Sequence, residues 1–366
     1  MPLFQPPPEN SLQRPPMGLF DLYGRMFSLA KANMFSGIQP AVWQCSDESQ
    51  GIKKALLGYM FDCPVFDLGR VGALVDPQRL IPASHHGQDL VILGGSHLGA
   101  DERDGIGFVK RINGKDSTCC GLLHRILSPY LELYRRASSH IRLLRENNNI
   151  RLEIPYKYLF VQKPGPIPAI HLRLRRLVNG EALRDSSQGK IFPVHPQFLQ
   201  SHEHSLTSAS QGSRPLDELL QPNYFRFSRR LPDDSQQPQD LIEAGIFDFL
   251  PDIVTASYPH RRLANINTWR QFHVLVSYLT DSFDYHNRNI FVVAGLTLDH
   301  SIRHNSFIPQ FGFLLKQGNA IDAEHFGPQE ISSLLERFPS ASPAESFLSY
   351  AGISKESPDR SKHSSK

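Results

Sequence analysis

The sequence predicts an α/β fold with a mainly parallel central sheet flanked by helices. Two apolar runs carry this prediction: residues 90–93 end at Gly94 and Gly95, and residues 290–294 end at Gly295. Runs in which every residue is apolar are typical of parallel strands that are covered on both faces. Segments with a helical spacing of apolar residues lie between and around these runs, and such interleaving indicates the α/β class.

The individual elements follow from the period of the apolar residues. Helices are predicted over 18–35, 51–60, 120–136, 138–147 and 266–278, and strands over 41–44, 89–94, 106–112, 158–162, 170–177 and 290–295. Because ligands of open α/β sheets bind beyond the carboxyl ends of the strands, polar residues that follow these strands are the first candidates for a site.

Composition narrows the class of protein. The 366 residues include 39 Lys and Arg against 36 Asp and Glu, a net charge of +3, which argues against a binder of nucleic acid that relies on a strongly cationic face. No apolar run approaches the roughly 18 residues of a membrane span, so we expect no membrane partner. The four cysteines are too few for a disulfide scaffold in a chain this long and favour a reducing cytoplasm.

Three features at the predicted strand and helix ends form a candidate metal site. Cys45 follows the first short strand, His97 follows the buried strand 89–94, and the adjacent Cys119 and Cys120 precede a helix. Two thiolates and one imidazole leave the fourth tetrahedral position of a zinc ion for water, as in catalytic sites. Taken singly, each cysteine can also be a small buried hydrophobe and the histidine a hydrogen-bonded core residue.

Several short motifs occur in a fixed order along the chain: Cys45-Ser46-Asp47, Gly95-Ser96-His97-Leu98-Gly99, Gly105-Ile106-Gly107, Arg111, Ser117-Thr118-Cys119-Cys120-Gly121, Phe291-Val292-Val293-Ala294-Gly295-Leu296 and Phe307-Ile308-Pro309-Gln310-Phe311. In this order they resemble the limiting-CO2-inducible B/C family, which is related to theta-class carbonic anhydrases. The resemblance implies a fold like that of beta-class carbonic anhydrases, a homodimer, and zinc bound by Cys, His and Cys.

The resemblance also assigns residues. It implies Cys45, His97 and Cys120 as zinc ligands, with Cys120 preferred to Cys119 because the ligand of the related sites directly precedes glycine. Asp47 would be the acidic partner of the site.

One residue departs from the related Cys-x-Asp-x-Arg pattern. Ser49 stands where the pattern has arginine, and Arg111 is the nearest substitute that belongs to a motif. The alternative interpretation of Arg111 is a surface residue beside Lys110.

The expected activity is reversible hydration of CO2 to bicarbonate. Zinc lowers the pKa of its bound water from 15.7 to about 7, so that hydroxide can attack CO2 at neutral pH, and Asp47 would orient it. Because Ser49 replaces the arginine, the alternative is a catalytically weak or inactive zinc-binding relative with an interaction or regulatory role. A zinc hydrolase that uses the same hydroxide is a further alternative.

The resemblance covers roughly residues 17–315, which we expect to form one carbonic-anhydrase-like domain. Residues 1–16 are a proline-rich arm and residues 354–366 a polar tail, and both are expected to be disordered. Residues 201–240 are rich in Ser, Gln, Pro and Asp and are expected to be a polar insertion that adds nothing to a core. Residues 316–353 are expected to be a C-terminal helical extension.

Overall fold

The computed structural model describes residues 6, 15–46, 50–80, 88–101, 105–106, 108–110, 116–118, 120–146, 149–160, 163–207, 212–232, 235–282, 285, 287–301, 304–316 and 323–342. The expected disordered tail of residues 354–366 lies outside these ranges. The expected N-terminal arm also lies outside them, apart from Pro6, Pro15 and Pro16.

The described parts of the chain contain both helices and strands, and several of the strands follow one another without a helix between them. The helices are α1 (Leu19–Ala32), α2 (Gly51–Phe61), α3 (Gly121–His140), α4 (Tyr156–Leu159), α5 (Leu174–Leu177), α6 (Pro196–Ser201), α7 (Glu203–Thr207), α8 (Pro238–Ile246), α9 (Leu250–Thr255), α10 (Pro259–Asp281) and α11 (Pro328–Glu336). Among these described helices, none is both long and apolar enough to cross a bilayer.

The strands are β1 (Met17–Gly18), β2 (Gln39–Trp43), β3 (Phe66–Asp67), β4 (Gly69–Arg70), β5 (Leu74–Val75), β6 (Leu90–Gly94), β7 (His97–Asp101), β8 (Gly105–Ile106), β9 (Phe108–Lys110), β10 (Asp116–Thr118), β11 (Arg142–Glu146), β12 (Asn149–Pro155), β13 (Ala169–Leu172), β14 (Arg184–Asp185), β15 (Gly189–Pro193), β16 (Gly212–Pro215), β17 (Phe225–Ser228), β18 (Ile290–Ser301), β19 (His304–Leu315) and β20 (Glu324–Phe326).

The chain forms two compact units, one from residues 1–103, 108–117 and 268–366 and the other from residues 104–107 and 118–267. The first unit is built on a sheet with the order β1-β19-β18-β6-β2-β3. The four strands β18, β6, β2 and β3 are parallel. Strand β19 pairs antiparallel with β18, and β1 pairs antiparallel with β19. The mainly parallel sheet predicted from the sequence is confirmed.

The predicted strands and helices of this unit meet in one hydrophobic cluster. All five residues of β2 and of β6 are buried, as the continuous apolar pattern of 90–93 predicts. Helices α1, α2 and α11 contribute to the cluster together with the strands, through residues that include Leu22, Met26, Leu57, Leu335, Val91 and Val293. Burial of one large aliphatic side chain contributes about 1.5–3 kcal/mol, so this cluster anchors the strand ends that carry the candidate ligands.

The second unit contains an antiparallel sheet with the order β14-β15-β12-β11-β16, a separate β13–β17 pair, and the long helix α3. The buried face of α3 includes Leu123, Ile126, Leu127 and Tyr130, in agreement with the predicted amphipathic pattern. The hydroxyl of Tyr130 donates to Glu243, and Arg229 forms an ion pair with the same carboxylate. A buried carboxylate is therefore neutralised inside this unit.

Three predictions of secondary structure are wrong here. The strand predicted over 158–162 is wrong because Tyr158 and Leu159 belong to the short helix α4, which follows β12 directly. The predicted helix 138–147 ends with α3 at His140, and the chain continues as β11. This strand pairs with β12 on one side and β16 on the other, so that sheet hydrogen bonds override the local pattern. The predicted strand 170–177 stops at Leu172 and is followed by the short helix α5.

The expectation that residues 201–240 add nothing to a core is also wrong. Leu216, Phe225 and Phe227 are buried, β16 forms an edge of the antiparallel sheet, and β17 pairs with β13. The two phenylalanines alternate with the exposed Arg226, which is the period of a half-buried strand. Few apolar residues lie in this stretch, but they occupy core-facing positions.

Candidate metal centre

Cys45 lies two residues beyond the carboxyl end of the central strand β2. Its side chain is buried, and its Sγ accepts a hydrogen bond of 3.2 Å from the backbone N–H of Gly72. Gly72 has φ of 76°, a left-handed conformation that glycine adopts without strain. An N–H donated to sulfur stabilises a thiolate more than a thiol, and the thiolate is the form that binds metals.

His97 is positioned by a sharp change of direction after β6. Gly95 has φ of 137°, and a Cβ at this position would lie 1.9 Å from the carbonyl oxygen of Gly295. The next N–H, that of Ser96, donates to Thr268 Oγ1 at 2.9 Å. The chain then continues as β7, whose first residue His97 lies beside Thr297 of β18. The glycine therefore permits the kink that places the histidine at the carboxyl end of β6.

Cys120 is the N-cap residue of α3 and is buried. Its carbonyl accepts the first helical hydrogen bond, from the N–H of His124 at 3.1 Å. A thiolate at this position is favoured by the positive end of the helix dipole.

These three residues come together. The Sγ atoms of Cys45 and Cys120 and a ring nitrogen of His97 all lie within 4.8 Å of one another, and all three residues are buried. Two sulfurs and one imidazole are a donor set that zinc prefers, and three protein ligands leave one coordination position for a water molecule or substrate. The donor chemistry and the mutual distances therefore fit one metal ion such as Zn²⁺.

The carboxylate of Asp299 is hydrogen-bonded to the His97 ring. Asp299 Oδ2 lies 2.9 Å from His97 Nδ1, and both side chains are almost completely buried. Burial raises the pKa of Asp299, but the hydrogen bond with His97 and the nearby Lys53 ammonium together lower it well below its usual range. Asp299 is therefore a buried anion next to the candidate centre.

A solved structure of a homolog of a limiting CO2-inducible protein shares this architecture. A mutant of PtLCIB4, described as a homolog of the limiting CO2-inducible protein LCIB, matches with a TM-score of 0.52 at 11% identity, over 85% of this chain and 94% of that chain. The chain has the LCIB fold. LCIB itself matches with a TM-score of 0.44 at 12% identity, over 85% of this chain and 94% of its own. No protein-family model matches the sequence, and no curated protein does.

The LCIB fold agrees with the fold that the sequence motifs imply, and at these identities the likeness concerns the fold. Of the predicted site residues, the structure brings together Cys45, His97 and Cys120. Asp47 and Arg111 lie outside the described residues, as do Ser49 and Cys119, so their roles stay predictions.

Sequence reasoning missed three polar residues of this candidate centre: Gln50, Lys53 and Asp299. All three are buried. One available signal is Asp299 itself, a carboxylate in the strand that continues from the apolar run 290–294. A charged residue in such a strand indicates a partner or a functional site.

Proposed function

We propose that this chain is a zinc-dependent carbonic anhydrase that catalyses the reversible hydration of CO2 to bicarbonate. The observation that carries the proposal is the buried group of Cys45, His97 and Cys120 on an LCIB-like fold. When bound, zinc acts as a Lewis acid that acidifies a water molecule for attack on CO2.

The residues of the chain hold and orient the reactants in this proposal. The two cysteines bind as thiolates and His97 as a neutral imidazole. Asp47 follows Cys45 by two residues in the sequence, and in this proposal it would accept a hydrogen bond that orients the attacking water. Arg111 would pair with this carboxylate in place of the arginine that Ser49 replaces.

Ser49 supports a second candidate function. Because Ser49 stands at this position, the motif itself supplies no arginine that would keep Asp47 ionised and oriented. The same fold and metal group would then belong to a catalytically weak or inactive zinc-binding protein with an interaction or regulatory role.

One experiment separates the two candidates. The zinc content and the stopped-flow rate of CO2 hydration at pH 7 to 9 are measured for the wild type, Cys45→Ser and Asp47→Ala. Cys63→Ser is the control, because Cys63 is half-buried and lies outside the metal group. We expect zinc and activity in the wild type and in the control, loss of both in Cys45→Ser, and loss of activity alone in Asp47→Ala.

Other results decide against parts of the proposal. Wild type that binds zinc but hydrates no CO2 above the buffer rate would support the inactive relative. Wild type prepared without chelators that carries no zinc would remove the metal centre. Full activity in Asp47→Ala would overturn the role given to Asp47.

We also propose a homodimer in a reducing compartment such as the cytoplasm. The described cysteines Cys45, Cys63 and Cys120 are not disulfide-bonded, and oxidation would consume the two proposed ligand thiols. One chain has a mass of 41.4 kDa, so light scattering on the dimer should give about twice this value. A mass near that of one chain at micromolar concentration would contradict the dimer.

A further inference from the structure

A network of four buried polar side chains connects α2 to the candidate metal centre. Lys53 Nζ donates to Asp299 Oδ1 at 2.6 Å and to Gln50 Oε1 at 2.8 Å. Gln50 Nε2 in turn donates to Asp299 Oδ2 at 3.1 Å, and the same oxygen lies 2.9 Å from His97 Nδ1. The side chain of Lys53 is 0% exposed and that of Asp299 is 3% exposed, so two opposite charges compensate each other inside the protein.

The direction of the hydrogen bond to His97 follows from the charge of its partner. An ionised carboxylate only accepts hydrogen bonds, so the proton between Asp299 and His97 belongs to the histidine. The Lys53 ammonium and the Gln50 amide both donate to Asp299, which favours the ionised carboxylate. His97 therefore carries a proton on Nδ1, and in the neutral ring Nε2 holds the lone pair.

Stability alone does not account for this arrangement. A buried ion pair is often no more stabilising than a well-packed apolar pair of the same volume, because removing two charges from water is costly. Here, however, the carboxylate of the ion pair also contacts a ring nitrogen of His97, which is a proposed metal ligand. Metal-binding histidines commonly donate their second ring N–H to a carboxylate, which fixes the ring orientation.

We propose that Asp299, held by Lys53 and Gln50, is a positioning residue of the metal centre that fixes His97 as its Nδ1–H tautomer and directs Nε2 to the metal. This inference rests on the zinc site of the proposed function. It adds that Lys53 of α2 and Gln50, the N-cap residue of this helix, support the centre, in addition to the role of α2 in the hydrophobic cluster.

The tautomer can be measured without any metal. In the metal-free wild type labelled with ¹⁵N-histidine, NMR correlations between ring nitrogens and carbons distinguish the two tautomers, and the His97 signal is identified by its absence from His97→Gln. We expect a protonated Nδ1 in the wild type and loss of this tautomer preference in Asp299→Asn. A merely structural role for Asp299 would leave the tautomer unchanged.

Zinc affinity provides the second readout, measured by competition with a chromophoric chelator. We expect zinc to bind about 10–100-fold more weakly to Asp299→Asn than to the wild type, the usual effect of removing a partner of a metal ligand. Asp67→Asn is the matched control, because Asp67 pairs with Lys54 of the same helix and is more exposed. The control should retain the wild-type affinity within about threefold.

The outcomes separate this inference from the proposed function. An unchanged zinc affinity in Asp299→Asn, or a wild-type His97 protonated on Nε2, overturns the positioning role and leaves the zinc site standing. A wild type that binds no zinc but shows the Nδ1–H tautomer overturns the proposed function and retains the role of Asp299 in orienting the ring. The tautomer of the wild type decides the matter even where Asp299→Asn does not fold.

Discussion

The adjacent residues Cys119 and Cys120 both carry a thiol that could bind a metal. The Sγ of Cys120 lies within 4.8 Å of the donor atoms of Cys45 and His97. If its position at the start of α3 makes it a ligand, Cys120→Ser should weaken zinc binding at least about 100-fold, because a hydroxyl is a poor ligand for zinc. Cys119→Ser should stay within about threefold of the wild type in chelator competition. Equal losses in the two variants would contradict the assignment of Cys120.

The candidate ligands could be predicted from local sequence, but the buried residues that contact them could not. Cys45 and His97 follow recognisable strands, and the parallel order of these strands brings their carboxyl ends together. Asp299 is 202 positions from the His97 that it contacts, and it is 246 positions from Lys53. No spacing of residues along the sequence predicts a buried pair of this kind. The pairing of β7 with β18 has to be known first.

At the scale of elements, the kink between β6 and β7 depends on one glycine. Because Gly95 has a φ of 137° and a Cβ would lie 1.9 Å from a carbonyl oxygen, Gly95→Ala meets both backbone strain and a clash. We expect it to lower the free energy of unfolding by about 3 kcal/mol. Gly51→Ala is the control: nothing lies within 4 Å of a Cβ there, and alanine favours helix α2. Urea unfolding that ranks the two variants equally would contradict this.

Helices α3 and α10 meet through a histidine pair that should make stability depend on pH. His124 Nδ1 lies 3.0 Å from His260 Nε2. Burial, then the charges of His124 and Arg135, lower the pKa of His260 from 6.5 to about 4. Between these two pH values the unfolded chain binds a proton at this ring that the folded chain does not, so stability rises with pH across that window. Below about pH 4 both states are protonated and this ring adds no further loss.

The expected change can be measured by urea unfolding at pH 7 and about pH 4.5. Because water screens part of the penalty at a partly buried ring, we expect His260 to account for about 1 kcal/mol of the stability lost on acidification. His260→Gln should lose correspondingly less than the wild type. His204→Gln, which replaces an exposed histidine, should behave like the wild type. An identical pH dependence in all three proteins would rule out this role.

Elements were predictable where the local pattern and the tertiary environment agree. The continuous apolar runs form β6 and the start of β18, and the segments with a helical pattern form α1, α2 and α3. The predicted helix 138–147 failed because β11 gains hydrogen bonds from two neighbouring strands, one of which lies about 70 residues further along the chain. The pattern within the segment contains no information about those partners.

At the scale of the whole molecule, zinc binding should be linked to the stability of the fold. The three candidate ligands come from the ends of β2 and β6 and from the start of α3, so the site is assembled only in the folded chain. A ligand that binds only the folded state stabilises it by about 2.7 kcal/mol when free ligand exceeds Kd 100-fold. For a chain of this size that corresponds to a rise in Tm of roughly 3–5 °C.

Differential scanning calorimetry on metal-free protein with and without zinc tests this linkage. We expect zinc to raise Tm and a chelator to reverse the rise. Mg²⁺ should have little effect, because it prefers oxygen ligands to thiolates. In Cys45→Ser the zinc-dependent rise should be lost, while in Cys63→Ser it should persist, since Cys63 lies outside the ligand group. A rise in Tm that survives in Cys45→Ser would mean that zinc stabilises the molecule at another place, and the centre at the ends of β2 and β6 would lose its support.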